Sequence, residues 1–403
     1  MPTSRQTSRV LMLITFLAFV SIGFPDAVLG VAWPSMRETF NRALPDLGFI
    51  VFSSGTGYFL SGIVAGQAIE RLGVGRLLAI STTFVAVGLF GYALMPTFWP
   101  LLLAAFLIGL GSGAVDAGLN VFAAEHFSVT VMNWLHAFFG IGAMVGPFIM
   151  AGVFAAGGTW RVGYVIVAST IAAMAVVFLL TLSQWSDGDS RTSEAAAARL
   201  SVGSVLRMPA VWLQIGIFFV MCGIEASAGN WTATILAGKF DATETTASLW
   251  GGIFWGSMAV GRIIMVPLSR DMNPARLVQI CTWGLVAGSL LMSIDRLLMY
   301  QVGLVIFGLA MAPLFPTLMS LTPLRFGTAV SIHTIGFQVS AATVGIIGIT
   351  TMGGVIADRT TLTAIPVIMV IGSVLVVAMD TLLRRLTDNQ SVPEPEPEAA
   401  SRP

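Results

Sequence analysis

The chain has 403 residues, of which 56% are hydrophobic and only 10% are charged, and its acidic and basic side chains balance to zero net charge. Soluble domains carry about 25% charged residues, so this composition indicates a membrane protein and gives no sign of nucleic-acid binding. The two cysteines lie in apolar segments, where small core residues are expected rather than a disulfide or a metal site. Because no P-loop, HExxH or GxSxG motif occurs, we expect neither enzymatic activity nor a cofactor.

Twelve apolar segments follow one another along the chain, and each is long enough to cross a hydrocarbon core about 30 Å thick. Six precede and six follow the polar linker 184–209, which predicts an all-α membrane protein with twelve transmembrane helices in two pseudo-symmetric six-helix halves, residues 1–183 and 210–385. The tail 386–403 is rich in proline and glutamate and is predicted to be disordered. The predicted spans are 10–33, 47–69, 77–95, 100–123, 134–156, 162–183, 210–232, 247–268, 276–294, 298–320, 328–354 and 362–383.

The cationic side chains are distributed unevenly between the two ends of the predicted spans. Thirteen arginines fall in the termini and in the loops on the same side as the termini, and six cationic residues fall in the loops on the other side. Positive charge is enriched on the cytoplasmic side of membrane proteins, so both termini are predicted to be cytoplasmic, in a bacterial inner membrane.

The two halves repeat each other about 199 residues apart. An acid lies at the same place in the first span of each half, Asp26 in GFPDAVLG and Glu225 in CGIEASAG. Charged groups at membrane depth cost about 2.5–3.5 kcal/mol, and a doubled membrane protein with an acid in each half is typical of a secondary transporter. Further matches at or near this offset are Gly57 and Gly256, Gly62 and Gly261, Gly109 and Gly308, Arg71 and Arg270, and His136 and His333.

A third acid inside the predicted spans, Asp116, has no counterpart in the second half. Asn120 lies four residues later and therefore shares its helix face, which continues through Gly109. Small residues allow a neighbouring helix or a ligand to approach, and burial favours the neutral form of a carboxylate. Asp116, Asp26 and Glu225 are therefore candidates for proton coupling, and the alternative for each is a hydrogen bond that joins two helices.

Several polar and aromatic side chains in the spans are candidates for substrate contact, because amides and carboxylates hydrogen-bond hydroxyl groups and an indole stacks on a sugar ring. We expect the segment Gly229-Asn230-Trp231 to loosen the end of its helix, where Asn230 would meet a ligand. Gln338 lies on a small, polar stripe that suits helix packing equally well, and tryptophans are commonly interface anchors or core residues. The substrate-binding candidates are Asp26, Asn120, Gln214, Asn230, Gln338, Trp33 and Trp255.

Three cationic or titratable side chains lie inside predicted spans near the side of the termini: His136, His333 and Arg262. The symmetric placement of the two histidines suggests a role in gating, and the alternative is a buried neutral histidine held by a carbonyl group. We expect Arg262 to pair with a neighbouring acid or to extend towards the membrane interface.

The loop after the second span reads GQAIERLGVGR and ends at Arg76. It resembles the inner-loop signature of the major facilitator superfamily, G-x-L-A-D-R-x-G-R, with Glu70 in the place of the usual aspartate. The resemblance implies that Glu70, Arg71 and Arg76 pair charges at a helix end and hold one state of a gate. The alternative is ordinary positive charge in a cytoplasmic loop.

Several segments resemble the fucose–proton symporter branch of that superfamily, and together they cover most of the chain. The resemblance implies that an acid in the first span and an acid in the fourth span, here Asp26 and Asp116, serve proton coupling and sugar binding. Asp116 stands where the fucose symporter has a glutamate, so the resemblance does not name the sugar. The segments are FPDAVLGVAWPSM, GLGSGAVDAGLN, LHAFFGIGAMVGP, GIEASAGNW, GLAMAPLFPTLM and GFQVSAATVG.

Together these features predict a secondary active transporter that moves a small neutral polar solute, a sugar, by proton-coupled alternating access. We expect a monomer in the lipid bilayer, with the solute and protons as its partners. No lysine or arginine lies in the middle of a predicted span, so a phosphorylated or carboxylated solute would find no cation there. A proton antiporter that exports cationic or amphipathic drugs is the alternative, whereas a membrane receptor or scaffold would explain neither the doubled acids nor the loop signature.

Overall fold

A computed structural model describes residues 9–127, 129–185, 201–268 and 272–388. Within these ranges all regular structure is helical, and two short 3-10 turns, Leu44–Asp46 and Leu182–Gln184, complete it. The helices are α1 (Arg9–Thr39), α2 (Leu47–Leu94), α3 (Phe98–His126), α4 (Val129–Ala155), α5 (Trp160–Leu180), α6 (Val202–Val205), α7 (Pro209–Phe240), α8 (Glu244–Leu268), α9 (Pro274–Ser293), α10 (Leu297–Met311), α11 (Leu314–Arg359) and α12 (Ala364–Asp388).

Ten of the described segments are long and apolar enough to cross a membrane. One of them, Leu44–Leu94, has 51 residues, although a single crossing needs only about 20, and its helix turns back at Gly73. Gly73 and Gly327 in α11 both have φ of +73°, a backbone conformation that glycine adopts without strain. The ten segments already divide at Gly327, so the reversal at Gly73 makes eleven crossings. The 25 residues of α8 make the twelfth, which confirms the predicted fold class.

Because the chain reverses after each crossing, α1 begins and α12 ends at the same end of the bundle, here called the terminal end, and the opposite end is the distal end. In the first half α2 packs most extensively against α3, and α1 packs against α4. In the second half α7 packs against α11 and α12, and α9 against α10. The pairs α4–α8, α1–α7 and α2–α11 join the halves.

Two of the predicted boundaries fall near residues that the structure does not describe. Most of the linker, residues 186–200, and the tail from 389 onwards lie outside the described ranges. Helix α12 extends to Asp388, three residues past the predicted boundary at 385, so the first residues of the predicted tail are helical.

The structure corrects the expectation that α7 loosens at Gly229-Asn230-Trp231, because this helix runs without interruption to Phe240. Local and tertiary hydrogen bonds satisfy the polar side chains there: Asn230 Nδ2 donates to the carbonyl of Ala226 at 2.9 Å, and Trp231 Nε1 donates to the carbonyl of Thr350 at 3.1 Å. Gly229 therefore does not break the helix, and the side chain that it lacks leaves room for the Trp255 ring of α8.

At the distal end the two halves approach each other closely. A Cβ atom on Gly30 of α1 would lie only 2.4 Å from the carbonyl oxygen of Gly229, and one on Gly48 of α2 would lie 2.6 Å from Thr351. The Ser35 hydroxyl donates a short hydrogen bond to the Glu244 carboxylate across the same interface. Among the described residues α3 makes no comparable contact with α10 or α11. The structure therefore represents a state that is closed at the distal end.

Candidate functional site

Asp116 lies half-buried in the interior of the first half, where α3 crosses α2. Its Oδ2 atom accepts a hydrogen bond from the Tyr58 hydroxyl of α2 at 2.9 Å, and its Oδ1 atom accepts one from Asn120 Nδ2 at 2.9 Å. The same amide nitrogen donates to the backbone carbonyl of Asp116 at 2.9 Å. Both carboxylate oxygens are thus hydrogen-bonded, and both partners are neutral.

Glycines between α2 and α3 make this contact possible. A Cβ atom on Gly109 would lie 1.8 Å from the carbonyl oxygen of Ser54, and one on Gly113 would lie 2.2 Å from the Ser61 hydroxyl. No side chain larger than hydrogen fits at either position unless the helices move apart. The glycine face predicted beside Asp116 therefore serves the approach of a helix, and that approach brings Tyr58 to the carboxylate.

A second charged group lies where the two halves meet along α4 and α8. Arg262 of α8 lies near enough to Glu225 of α7 for the two charges to interact, but the described residues include no ion pair between them. Its Nη1 atom also donates to the backbone carbonyl of His136 in α4, at 3.2 Å. The His136 ring packs edge-on against Phe19 of α1, with 5.6 Å between ring centroids. Arg262 thus joins the second half to the backbone of the first by a hydrogen bond.

Asn230 and Trp255 lie half-buried on α7 and α8. The Trp255 ring packs against the backbone of Gly229, where an added Cβ atom would lie 2.7 Å from the ring. Its indole Nε1 is buried and has no hydrogen-bond partner among the described residues. Asp26 lies in α1, but its side chain is outside the described part of the structure.

Three other predicted substrate contacts are completely buried. Trp33 packs in the core of the first half, 6.5 Å from Phe98 between ring centroids. Gln214 Oε1 accepts a hydrogen bond from Arg325 Nη1 at 2.9 Å, and Gln338 Nε2 donates to the Thr322 hydroxyl at 2.8 Å. The structure therefore places both glutamines within the packing of the second half.

The two glutamines belong to a buried polar network that includes an ion pair near the terminal end. Arg325 Nη2 lies 3.0 Å from Asp380 Oδ1, and the exposed fractions of the two side chains are only 7% and 1%. Arg384 donates to the other carboxylate oxygen of Asp380. These hydrogen bonds connect α7, α11 and α12 and do not extend to Asp116.

The predicted gating residues lie near the terminal end. Glu70, Arg71 and Arg76 are exposed, and none of them forms an ion pair with another described residue. Arg76 lines a cavity of about 300 Å³ together with Gly73 and Trp185. His333 lies half-buried on α11 and His136 is exposed on α4, so the two histidines belong to different halves.

Sequence reasoning missed Tyr58 as a partner of Asp116 and missed the contact between Ser35 and Glu244. Tyr58 is one of only four tyrosines in the chain and lies inside an apolar segment, which was an available signal. No sequence pattern indicates the contact between Ser35 and Glu244, because these residues are 209 positions apart and belong to different halves.

Comparison with known proteins identifies the family. The model of the Major Facilitator Superfamily matches residues 11–235, which is more than half of the chain. The chain belongs to this superfamily. The protein is thus an integral membrane transporter, and the resemblance seen in the loop signature is confirmed.

Individual relatives within the superfamily are distant. The glucose/mannose transporter GlcP of Bacillus subtilis is 22% identical over 318 residues, which are 77% of this chain and 79% of GlcP. A bacterial homolog of the human lysosomal transporter Spinster, crystallised in an inward-facing and occupied conformation, superposes with a TM-score of 0.77 at 14% identity, over 97% of this chain and all of that one. The major facilitator transporter FucP in its outward conformation gives a TM-score of 0.64 at 15% identity, over 93% of this chain and 99% of FucP. These structural likenesses show a shared fold.

Proposed function

We propose that the protein moves a small neutral polar solute, a sugar, across the membrane by proton-coupled alternating access, and that Asp116 carries the proton. The observation that supports this most is the environment of Asp116, whose hydrogen-bond partners Tyr58 and Asn120 are both neutral. No described cation pairs with this carboxylate. An ionised acid inside a membrane protein costs several kcal/mol unless it is paired. Asp116 can avoid this cost by binding a proton.

Glu225 differs from Asp116 because a cationic side chain, Arg262, lies nearby. Together the two side chains carry no net charge, so they favour neither an anionic nor a cationic solute. We assign proton coupling first to Asp116, with Asp26 and Glu225 as the other acids, and we also assign Glu225 to orienting Arg262. That assignment agrees with a neutral solute.

A hydroxyl-bearing solute suits the other half-buried side chains. Asn120 and Asn230 can donate to and accept from hydroxyl groups, and Trp255 offers a ring face to a sugar. Glucose and mannose are the solutes named for the relative GlcP, and fucose together with a proton is named for an E. coli structural neighbour. Because Trp33 and the two glutamines are completely buried, we assign them to supporting the walls of the site.

The terminal end faces the cytoplasm of a bacterial cell in this proposal, because most arginines lie in the loops at that end. Glu70, Arg71 and Arg76 would then find partners when the terminal end closes, which would explain why they form no ion pair with another described residue. His136 and His333 lie on α4 and α11, two helices that contact the opposite half, so they would follow the same movement.

The test measures uptake into proteoliposomes with D-glucose, D-mannose and L-fucose as probes. One proton crossing about 100 mV supplies about 2.3 kcal/mol, enough for roughly fifty-fold accumulation by the unaltered protein. Asp116→Asn mimics the protonated acid, so it should still exchange a sugar between the two sides but should not accumulate it. Asp295→Asn is the matched control, because Asp295 is 84% exposed and should leave accumulation unchanged.

Each outcome of this experiment bears on the proposal. Proton-driven accumulation by Asp116→Asn at the level of the unaltered protein would overturn the proton site. Proton-dependent efflux of a cationic dye without exchange of any of the three sugars would overturn the solute class and establish the antiporter alternative.

A further inference from the structure

We propose that Tyr58 is a positioning residue that sets the pH at which Asp116 takes up its proton, and that the proton binds to Oδ2. This inference rests on the proposed function, because it concerns the same carboxylate. Tyr58 reaches Asp116 from α2, while Asn120 reaches it from one turn further along α3. The Tyr58 hydroxyl and the Asn120 amide differ in hydrogen-bonding capacity, so the two carboxylate oxygens have different roles.

Asn120 occupies Oδ1 with a group that can only donate. Its Nδ2 atom donates to Asp116 Oδ1 and also to the backbone carbonyl of Asp116, and both of these atoms are acceptors, which determines the orientation of the amide. A proton on Oδ1 would face an N–H donor and would lose that hydrogen bond. Protonation at Oδ1 is therefore disfavoured.

Tyr58 occupies Oδ2 with a group that can both donate and accept. When Asp116 is ionised, the phenol donates to Oδ2 at 2.9 Å. When Oδ2 binds a proton, the new O–H can donate to the phenolic oxygen if the tyrosine hydroxyl rotates. The hydrogen bond is thus kept in both states, although it is stronger to the ionised form because one partner is charged.

Packing holds the Tyr58 backbone beside α3. A Cβ atom on Gly113 would lie 2.8 Å from the carbonyl oxygen of Tyr58, so the two backbones are in close contact. The other elements packed against α3 are α1 and α4. On these helices Arg9 begins α1, and Arg37 and Glu38 lie in its last turn, at the ends of the bundle. The titratable groups between the ends are Asp26, whose side chain is not described, and His136, whose ring lies against Phe19. Tyr58 is thus the described titratable side chain that contacts the carboxylate.

A purely structural role for Tyr58 predicts a different result. If its hydrogen bond only joined α2 to α3, its loss would lower the melting temperature and leave the titration of Asp116 unchanged. A positioning role predicts instead that the titration of Asp116 shifts. Removing a donor to the ionised carboxylate makes protonation easier, so the midpoint of the titration moves to higher pH.

Infrared difference spectroscopy of the purified protein in liposomes measures this directly, without a known substrate. The carboxyl stretching band that Asp116→Asn removes identifies the titration of Asp116. Tyr58→Phe should raise the midpoint of this band by about 1–2 pH units, the equivalent of one hydrogen bond to a charged group. Tyr164→Phe is the matched control, because the buried Tyr164 hydroxyl has no hydrogen-bond partner among the described residues, and it should leave the midpoint unchanged.

The outcomes separate this inference from the function on which it rests. If Asp116→Asn removes a titrating band and the midpoint in Tyr58→Phe equals that of the unaltered protein, Tyr58 is structural and only this inference is overturned. If Asp116→Asn removes no titrating band, the proton site itself is wrong, and the assignment of Tyr58 is overturned together with it.

Discussion

Replacement of Gly30 by alanine should open the distal end. Gly30 lies on α1 directly against α7 of the other half, where a Cβ atom would lie 2.4 Å from the carbonyl oxygen of Gly229 and 2.6 Å from the Cα atom of Asn230. Both of these are backbone atoms, which cannot rotate away as a side chain can. The added methyl group is therefore incompatible with the closed distal interface unless the helices separate.

The size of the effect follows from this clash. Inserting a methyl group into a well-packed interface costs about 1–3 kcal/mol. The cost applies only to the state in which α1 and α7 touch, because the methyl group is free of Gly229 once the halves separate. A difference of about 1–3 kcal/mol between two states shifts their populations about 5- to 150-fold, here towards the state that is open at the distal end.

Pulsed electron–electron resonance between spin labels at the distal end would measure this shift. Cysteines at the exposed positions Glu38 and Thr361 place one label on each half, and Gly30→Ala should increase the population of long distances. Gly62→Ala is the matched control, because it adds the same methyl group to a helix at a position with no atom of another segment within 4 Å. If the distance distributions of the two variants coincide, the contact between α1 and α7 does not control distal closure.

Two further predictions concern the ion pairs and the orientation of α7 across the membrane. Asp380→Asn should lower the free energy of unfolding by about 3–5 kcal/mol, because it leaves buried Arg325 uncompensated. Asp295→Asn should cost only ~0–1 kcal/mol, because the Asp295 side chain that pairs with Lys239 is 84% exposed. Equal losses of melting temperature in detergent for these two variants would contradict the importance of burial. Reporter fusions after Arg207 and after Lys239 should report opposite sides of the membrane, and fusions that report the same side would refute the crossing of α7.

The sequence alone determined the number of crossings and the two halves. In a membrane each helix must satisfy its own backbone hydrogen bonds and expose apolar side chains, so every span carries its signal locally. The reversal of α2 at Gly73 was likewise readable, because the loop signature places that glycine between two apolar runs. The pairing of Asp116 with Asn120 could also be predicted from the sequence, since residues four positions apart share a face of any helix.

The tertiary structure decided which of the intramembrane polar groups meet. Asp116 has a hydrogen-bond partner on another helix, Tyr58, Arg262 lies near Glu225, and Gln214 belongs to a buried network with Arg325. No periodicity within one segment contains this information. A contact between two helices depends on their rotation, crossing angle and depth, and packing of the whole bundle sets these quantities.

The same reasoning explains why the expectation for α7 was wrong. A glycine inside an apolar helix is consistent with a break, and it is equally consistent with a close approach by another helix. Gly229 serves the second purpose, because the Trp255 ring of α8 lies where its side chain would be, and the sequence of α7 contains no information about α8. Which purpose a glycine serves depends on the neighbouring helix, so only the assembled bundle could decide it.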